Sequence, residues 1–424
     1  VSSSSRWCGR SVREVVVQLP KLHDGQRRVL SEAKRYNVLA CGRRWGKTTL
    51  LEDLAVNAAI DGKRVGWFAP NYALLDEAYG RIRKTLDDVV TTAAQSPHPR
   101  LELVTRGAVE FWTLEDPYKP ARGRAYHLVI VDEAAFAKRL EVAWEESIGP
   151  TLTDYQGGAW FASTPKGRNY FHRLWVRGQG EDPEWRSWQM PTSTNPYIAP
   201  EELDARRRTM TRAAYRQEYE AEFEDADGNV FRGQVLEDAF ALSGPEEPQD
   251  GRRYVAGVDL ARTQDFTDVR ILDVTDEPGR LVYHDRWRGD TWAVTVDRVA
   301  GALERYRALA RVDATGVGDP IVEALRRKWP RVEAVKFTTQ VKSELVERLV
   351  VALEQGRLLL YDDERDVLKA ELQAFRAETT PSGHVRYAAP EGLHDDAVMA
   401  LALAVGGMSR AAPYQSLHVR STRR

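Results

Sequence analysis

Short unbroken apolar runs alternate with stretches of helical spacing through the first half of the chain. Asn37-Val-Leu-Ala-Cys41 is an apolar run that passes into a glycine-bearing loop. From Thr48 to Ile60 the apolar residues Leu50, Leu51, Leu54, Ala55 and Ala58 recur at the spacing of one helix face. Arg64-Val-Gly-Trp-Phe-Ala69 predicts a second buried strand, and Tyr72 to Val90 a second helix. Ala108–Thr113, His127–Val131 and Ala159–Ser163 predict further strands. Solid apolar strands interleaved with helices predict an α/β unit, a parallel sheet covered on both faces.

The pattern changes after about residue 222. Glu222-Phe-Glu-Asp-Ala-Asp-Gly-Asn229 is acidic and turn-rich, and Ser243-Gly-Pro-Glu-Glu-Pro-Gln-Asp-Gly251 has the composition of a linker. A new set of strands opens at Tyr254-Val-Ala-Gly-Val-Asp259, followed by Val269–Val274 and Leu281–Arg286. A helix is expected over Lys342–Gln355, a strand over Arg357–Tyr361, and an apolar helix after His394. The expected organisation is a first α/β domain over 1–222, including a helical linker subdomain from about 170, and a linker over 223–252. A second α/β domain over 253–406 and a flexible basic tail over 407–424 follow.

A chain of 424 residues exceeds one ordinary core, which agrees with two domains. Hydrophobic residues at 42% and charged residues at 29% fit a soluble globular protein. The longest apolar run, Ala397–Val405, is far short of the roughly 18 residues of a membrane span. Two cysteines, Cys8 and Cys41, exclude a disulfide framework and point to a reducing compartment. The net charge of −2 argues against wholesale DNA wrapping, although local positive surface beside an acidic site would still admit nucleic acid.

Cys41-Gly-Arg-Arg-Trp-Gly-Lys-Thr48 has the end of a phosphate-binding loop, with Cys41 standing where a first glycine is usual. Gly42 and Gly46 let backbone N–H groups approach phosphate, and the following helix offers its positive end. Lys47 supplies charge, the Thr48 hydroxyl suits Mg²⁺, and Thr49 continues the first turn. Leu128-Val-Ile-Val-Asp-Glu133 is a strand ending in two acids: Asp132 for the Mg²⁺ shell and Glu133 to polarise an attacking water. Gln26 precedes the first strand, where an amide could read an adenine edge; a surface glutamine is the plainer alternative. Ser163-Thr-Pro-Lys-Gly167 resembles the coupling motif of helicase-like ATPases, against a simple strand-end turn. The nucleotide implied is ATP.

The second half carries acids in a telling order. Asp259 and Asp313 end strands, and Asp395 and Asp396 begin an apolar helix. Strand-Asp, strand-Asp, helix-Asp is the order of an RNase H-like nuclease. Such clustered charge needs a cation, and hard oxygen donors suit Mg²⁺ or Mn²⁺. Two ions about 4 Å apart would activate water and stabilise the leaving oxygen. Asp265 on the turn after the first strand could add a ligand or be a turn residue. Asp313 could be a turn residue too, and Asp395 or Asp396 could simply cap its helix.

Taken together, Cys-Gly-Arg-Arg-Trp-Gly-Lys-Thr, Leu-Val-Ile-Val-Asp-Glu-Ala-Ala, Ser-Thr-Pro-Lys-Gly, Gly-Val-Asp-Leu-Ala and His-Asp-Asp-Ala, in that order, resemble the large terminase subunit of tailed bacteriophages from roughly residue 20 to 405. The resemblance implies a P-loop ATPase domain of the RecA/ASCE type followed by an RNase H-like nuclease. It implies a motor that pumps double-stranded DNA into a procapsid in the host cytoplasm and cuts concatemers. The implied partners are a portal protein and a small terminase subunit. The implied assembly is a pentameric ring on the portal, from a subunit monomeric when free. By the same resemblance Arg43 contacts the γ-phosphate within its own subunit and Arg122, or else Arg124, acts on a neighbour. Lys336 and Lys342 would hold the DNA backbone. The competing readings are an ATP-dependent repair or recombination nuclease, a helicase-like translocase, and a nucleotide-binding scaffold. The first lacks a discriminating residue, the second lacks another ATPase motif after residue 222, and the third leaves Glu133 and the acidic cluster unexplained.

Overall fold

The computed structural model describes residues 15–95, 98–118, 120–224, 228–231, 233–260, 266–315, 319–363, 366–379, 385–388 and 394–408. Two compact units result, Val1–Ala205 with Ala213–Glu224, and Arg206–Arg212 with Asp225–Arg424.

The first unit is built on eight strands: β1 (Tyr36–Cys41), β2 (Arg64–Ala69), β3 (Val90–Ala94), β4 (Arg100–Leu103), β5 (Ala108–Thr113), β6 (Leu128–Asp132), β7 (Gly158–Ser163) and β8 (Trp185–Met190). Their order is β3-β4-β5-β2-β6-β7-β1-β8. From β5 to β8 every pairing is parallel, while β3 and β4 extend the sheet antiparallel. In β1, β6 and β7 every residue after the first is buried, as expected of strands covered on both faces. Because β7 lies between β1 and β6 in parallel register, with Ala40 opposite Ser163 and Asp132 opposite Ala162, three loops leave the same carboxyl edge together. That edge is where open α/β sheets place their ligands.

One expectation for this unit needs correction. The helix expected to reach Val90 stops at Thr85. Asp87–Val89 is a single 3₁₀ turn, and β3 begins at Val90, where Val-Val-Thr-Thr is β-branched and resists helix. The segment from about 170, expected as a helical subdomain, holds the helices Tyr170–Gln179, Pro200–Arg207 and Arg212–Tyr219, with the edge strand β8 between the first two.

Residues 223–252, expected as a linker, carry β9 (Gly228–Asn229) and the helix Gly233–Ala239, whose Leu236 and Ala239 are buried in the second unit's core. The six strands of that unit's main sheet are β10 (Tyr254–Asp259), β11 (Thr267–Asp273), β12 (Gly279–Trp287), β13 (Leu309–Asp313), β14 (Val332–Val335) and β15 (Leu358–Leu359). They run in the order β14-β13-β10-β11-β12-β15. β10, β11 and β12 form an antiparallel meander, and β13 and β14 pair parallel on the other side of β10. The strand expected over 357–361 shrinks to Leu358–Leu359. A small sheet joins β9 to β16 (Arg376–Thr379) and β17 (Val385–Ala388).

The helix Asp396–Met408 is buried over nearly its whole length and lies against β10. The two backbones approach so closely that a Cβ on Gly257 would meet the Ala400 carbonyl oxygen and stand 2.6 Å from Ala404 N. Only glycine fits there. Asp259 is two residues beyond Gly257 on the same side of the strand, and Asp396 is one helical turn before Ala400, so this contact brings the two acids together.

Candidate active sites

At the carboxyl edge of the first sheet the chain leaves β1, turns through Arg44 (φ 61°) and Gly46 (φ 102°), and enters the helix Lys47–Ile60. No side chain caps that helix, so the N–H groups of its first turn, Lys47, Thr48 and Thr49, remain for an anion. Asp132 ends β6, and Glu133 follows in the left-handed region at φ 49°, an uncommon conformation for a residue with a side chain. That turn aims Glu133 back across β7: Lys47 Nζ lies 2.8 Å from its Oε1, and Ser163 Oγ lies 3.2 Å from its Oε2. Asp132 Oδ1 accepts from Glu133 N at 3.0 Å. Burial, and then the Glu133 charge, push the Asp132 carboxyl up to about 7. Burial works against the Lys47 charge, but Glu133 and Asp132 outweigh it and hold the ammonium above its ordinary value.

The phosphate loop is gripped from the segment after β8. Thr192 Oγ1 donates to Arg43 O and Asn195 Nδ2 to Arg44 O, each at 2.7 Å, while Gly42 N donates to Met190 O at 2.9 Å. Gly42 is tightly enclosed, since a Cβ there would clash with Thr192 and the Tyr219 carbonyl. Arg43 reaches sideways and pairs with Glu218. Sequence reasoning did not single out Thr192, Asn195 or Glu218, whose role depends on contacts far along the chain.

Gln26 is engaged within the protein. Its Oε1 accepts from His23 N at 2.9 Å and its Nε2 donates to Gly46 O at 2.9 Å, so the amide caps its own helix and braces the phosphate loop. On the loop before β6, Arg122 is exposed and makes no ion pair among the described residues, between Ala121 (φ 58°) and Gly123 (φ 77°). Arg124 is turned inward: its Nε lies 3.4 Å from Glu110 and its guanidinium lies over Trp112.

In the second unit, Asp259 and Asp313 leave the ends of the paired parallel strands β10 and β13, and Asp395 and Asp396 start the helix that packs across them. Burial, and then the charges of Asp313, Asp396, Asp395 and Asp268, push the Asp259 carboxyl well above the usual range. Asp313, Asp395 and Asp396 thus lie near enough for their charges to act on Asp259. Asp265 lies outside the described residues. Among the described residues no three acidic, His or Cys side chains stand at metal-holding spacing. Two of the four are engaged by cations: Lys342 Nζ is 2.7 Å from Asp395 Oδ2, and Arg286 Nη2 is 3.2 Å from Asp396 Oδ2. Lys342, expected to hold DNA, stands beside the acids. Lys336 is exposed and lines an open groove with Arg311, Arg326, Glu333, Glu344 and Arg348. As a donor set, hard carboxylates whose charges act on the half-buried Asp259 fit a divalent cation such as Mg²⁺ or Mn²⁺.

Behind these acids lies a charge network that the sequence did not reveal. Asp268 pairs in register with Asp259 and is fully buried. Arg270 binds Asp268 through Nε at 2.9 Å and Asp366 through two contacts at 2.7 Å, with no exposure of its own. Asp268 and Arg270, charged residues at period two in a strand buried throughout, were the available signal. Glu371 is buried beside Arg286, and burial first of all pushes its carboxyl up to about 7.

Two family models match consecutive stretches of the chain. Residues 38–238 match the large terminase subunit, T4-like virus type, N-terminal domain, and residues 256–406 match the terminase RNase H-like domain. The chain belongs to the large terminase subunit family. It is 29% identical to the terminase large subunit of Thermus virus P23-45, with 88% of this chain and 84% of that protein covered. The large terminase of another thermophilic bacteriophage shares the fold at 14% identity, covering 91% of this chain and 99% of its own, with a TM-score of 0.51. A solved large terminase nuclease of phage G20c with bound magnesium is 29% identical over 42% of this chain and 96% of its own, with a TM-score of 0.39. As in the family, a P-loop ATPase fold is followed here by an RNase H-like fold. Among the described residues no helix of this terminase is long and apolar enough to cross a membrane.

Proposed function

We propose that this terminase subunit drives double-stranded viral DNA into a procapsid by hydrolysing ATP, and cuts concatemeric DNA with a metal-dependent nuclease. The reading is carried chiefly by the meeting of Lys47 and Glu133 at a sheet edge with an uncapped helix start, in a chain whose other sheet edge gathers four aspartates.

In the ATPase, Gly42, Gly46, Lys47, Thr48 and Thr49 hold the nucleotide phosphates, with Thr48 and Asp132 as the Mg²⁺ donors. Lys47 transfers its charge from Glu133 to phosphate, which leaves Glu133 to orient and deprotonate water against the γ-phosphoryl group. Arg43 leaves Glu218 for the γ-phosphate. Arg122 is the arginine offered to a neighbouring subunit, because it is exposed and without an ion pair among the described residues, while Arg124 is tied to Glu110. In the nuclease, Asp259, Asp313 and Asp396 are the donors for divalent ions, with Asp395 beside them. When bound, such ions activate water and stabilise the leaving 3′ oxygen.

The partners in this reading are the portal protein and the small terminase subunit. The subunits form a pentameric ring on the portal, in the host cytoplasm, from subunits monomeric when free. The test is uptake of linear DNA into procapsids, scored as DNase-resistant DNA. ATP-dependent protection that Glu133→Gln abolishes supports the reading. Protection that is indifferent to ATP, or none with active ATPase on portal-bearing procapsids, overturns it.

A further inference from the structure

Glu371 belongs to none of the sequence motifs, yet it touches both the start of the helix Asp396–Met408 and the cation beside Asp396. A helix start leaves N–H groups without helical partners, and an aspartate at the first positions is the usual acceptor. Here the acceptor comes from another helix, Leu368–Ala374: Glu371 Oε2 lies 3.0 Å from Ala397 N and 3.4 Å from Val398 N. Its Oε1 lies 3.3 Å from Arg286 Nη2, the nitrogen that also lies 3.2 Å from Asp396 Oδ2. Arg286 is itself held in place over Phe266, 4.0 Å from the ring centroid, with Asp268 at 3.9 Å.

This arrangement has two consequences for Asp396. With the N–H groups taken by Glu371, neither Asp395 nor Asp396 is drawn back to cap its own helix, and the Asp396 carboxylate can face Asp259. With Arg286 shared between Asp396, Glu371 and the more distant Asp268, Asp396 is oriented without being fully neutralised. A carboxylate given sole possession of a guanidinium would be a poorer donor to a divalent ion.

We propose that Glu371 is a positioning residue of the nuclease, which by capping the Asp396 helix and sharing Arg286 aims Asp396 at the divalent-ion site. The proposal rests on the nuclease reading above.

The test is Mn²⁺ binding by calorimetry on the full chain, with Glu371→Gln and Glu371→Ala, each alone and in an Asp396→Asn background. Glu371→Gln keeps an oxygen for the backbone N–H groups but turns an NH₂ toward Arg286. Mn²⁺ affinity should fall about 10-fold, and toward about 100-fold in Glu371→Ala, the range seen when partners of metal ligands are removed. In the Asp396→Asn background neither substitution should weaken Mn²⁺ further, because the residue they position is gone. Thermal unfolding verifies that each variant is folded, and Glu371→Gln carries the test if the alanine variant is not. Wild-type affinity in folded Glu371→Gln, or an equal loss in the Asp396→Asn background, overturns the proposal alone. A wild-type protein that neither binds Mn²⁺ nor cuts DNA overturns the nuclease reading and the proposal with it.

Discussion

Replacing Gly257 with alanine is a one-carbon change that separates the nuclease acids without touching any of them. The added Cβ meets the Ala400 carbonyl oxygen and stands 2.6 Å from Ala404 N, where real Cβ contacts stay beyond 3.0 Å. Both atoms are backbone, so no side chain can swing aside, and the helix Asp396–Met408 must move as a body. Overpacking of this kind costs about 1–3 kcal/mol or more. At roughly 2–4 °C per kcal/mol for a unit of this size, the nuclease unit should melt several degrees lower. The larger effect is on chemistry. Metal–ligand distances hold to about 0.2 Å, and a shift of about 1 Å in a catalytic group costs on the order of 10²-fold in rate. Folded Gly257→Ala should therefore lose Mn²⁺ affinity and about 10²-fold in plasmid cleavage, with ATP hydrolysis retained. Gly301→Ala is the control: its Cβ would meet nothing within 4 Å on an exposed helix face, so stability should rise by up to about 1 kcal/mol with cleavage unchanged. A folded Gly257→Ala protein that binds Mn²⁺ and cuts DNA like wild type would refute the argument that this backbone contact brings Asp396 to Asp259.

Two further perturbations address the ATPase. The Asp132 carboxyl, pushed up to about 7 by burial and by Glu133, holds a proton that Mg²⁺ must displace. Mg·ADP affinity should weaken as pH falls below about 7, and Asp132→Asn should flatten that profile in calorimetry. The same shift has a sign for stability: the folded protein keeps a proton that the unfolded chain releases from its ordinary value upward. The nucleotide-free unit should therefore lose stability to this group as pH rises toward 7, and Asp132→Asn should relieve it in pH-dependent melting. In portal-bound rings, Arg122→Ala should lower packaging-coupled ATP hydrolysis by about 10³-fold or more, the scale of an arginine finger, with little effect on ATP binding. Mixing Arg122→Ala with Glu133→Ala subunits should recover activity beyond the sum of the two, and no recovery at any ratio would exclude action on a neighbour.

What could be read from the sequence was whatever sits at the end of a strongly patterned element. Lys47, Asp132 and Glu133 follow solid apolar strands, and Asp259, Asp313 and Asp396 end strands or begin an apolar helix, so each stood out before the strand order that relates them was known. Gln26 could not be settled from sequence because an amide that could read a base is chemically the same as one that caps a helix; its spacing of three from His23 was the local sign of the cap the structure shows. β8 was missed because half its positions are polar, the pattern of an edge strand. Arg286 and Glu371 were out of reach for a different reason. Their importance lies in contacts between distant elements, which no local pattern records.

The claim that two chemically separate sites share this chain is tested most directly in a single set of tubes. Wild type, Lys47→Ala and Asp259→Asn are each incubated with plasmid, Mn²⁺ and ATP, and phosphate release and DNA nicking are scored together. Lys47→Ala should release no phosphate and still cut, and Asp259→Asn should release phosphate and leave the plasmid closed. Loss of both activities in either folded variant would contradict the account.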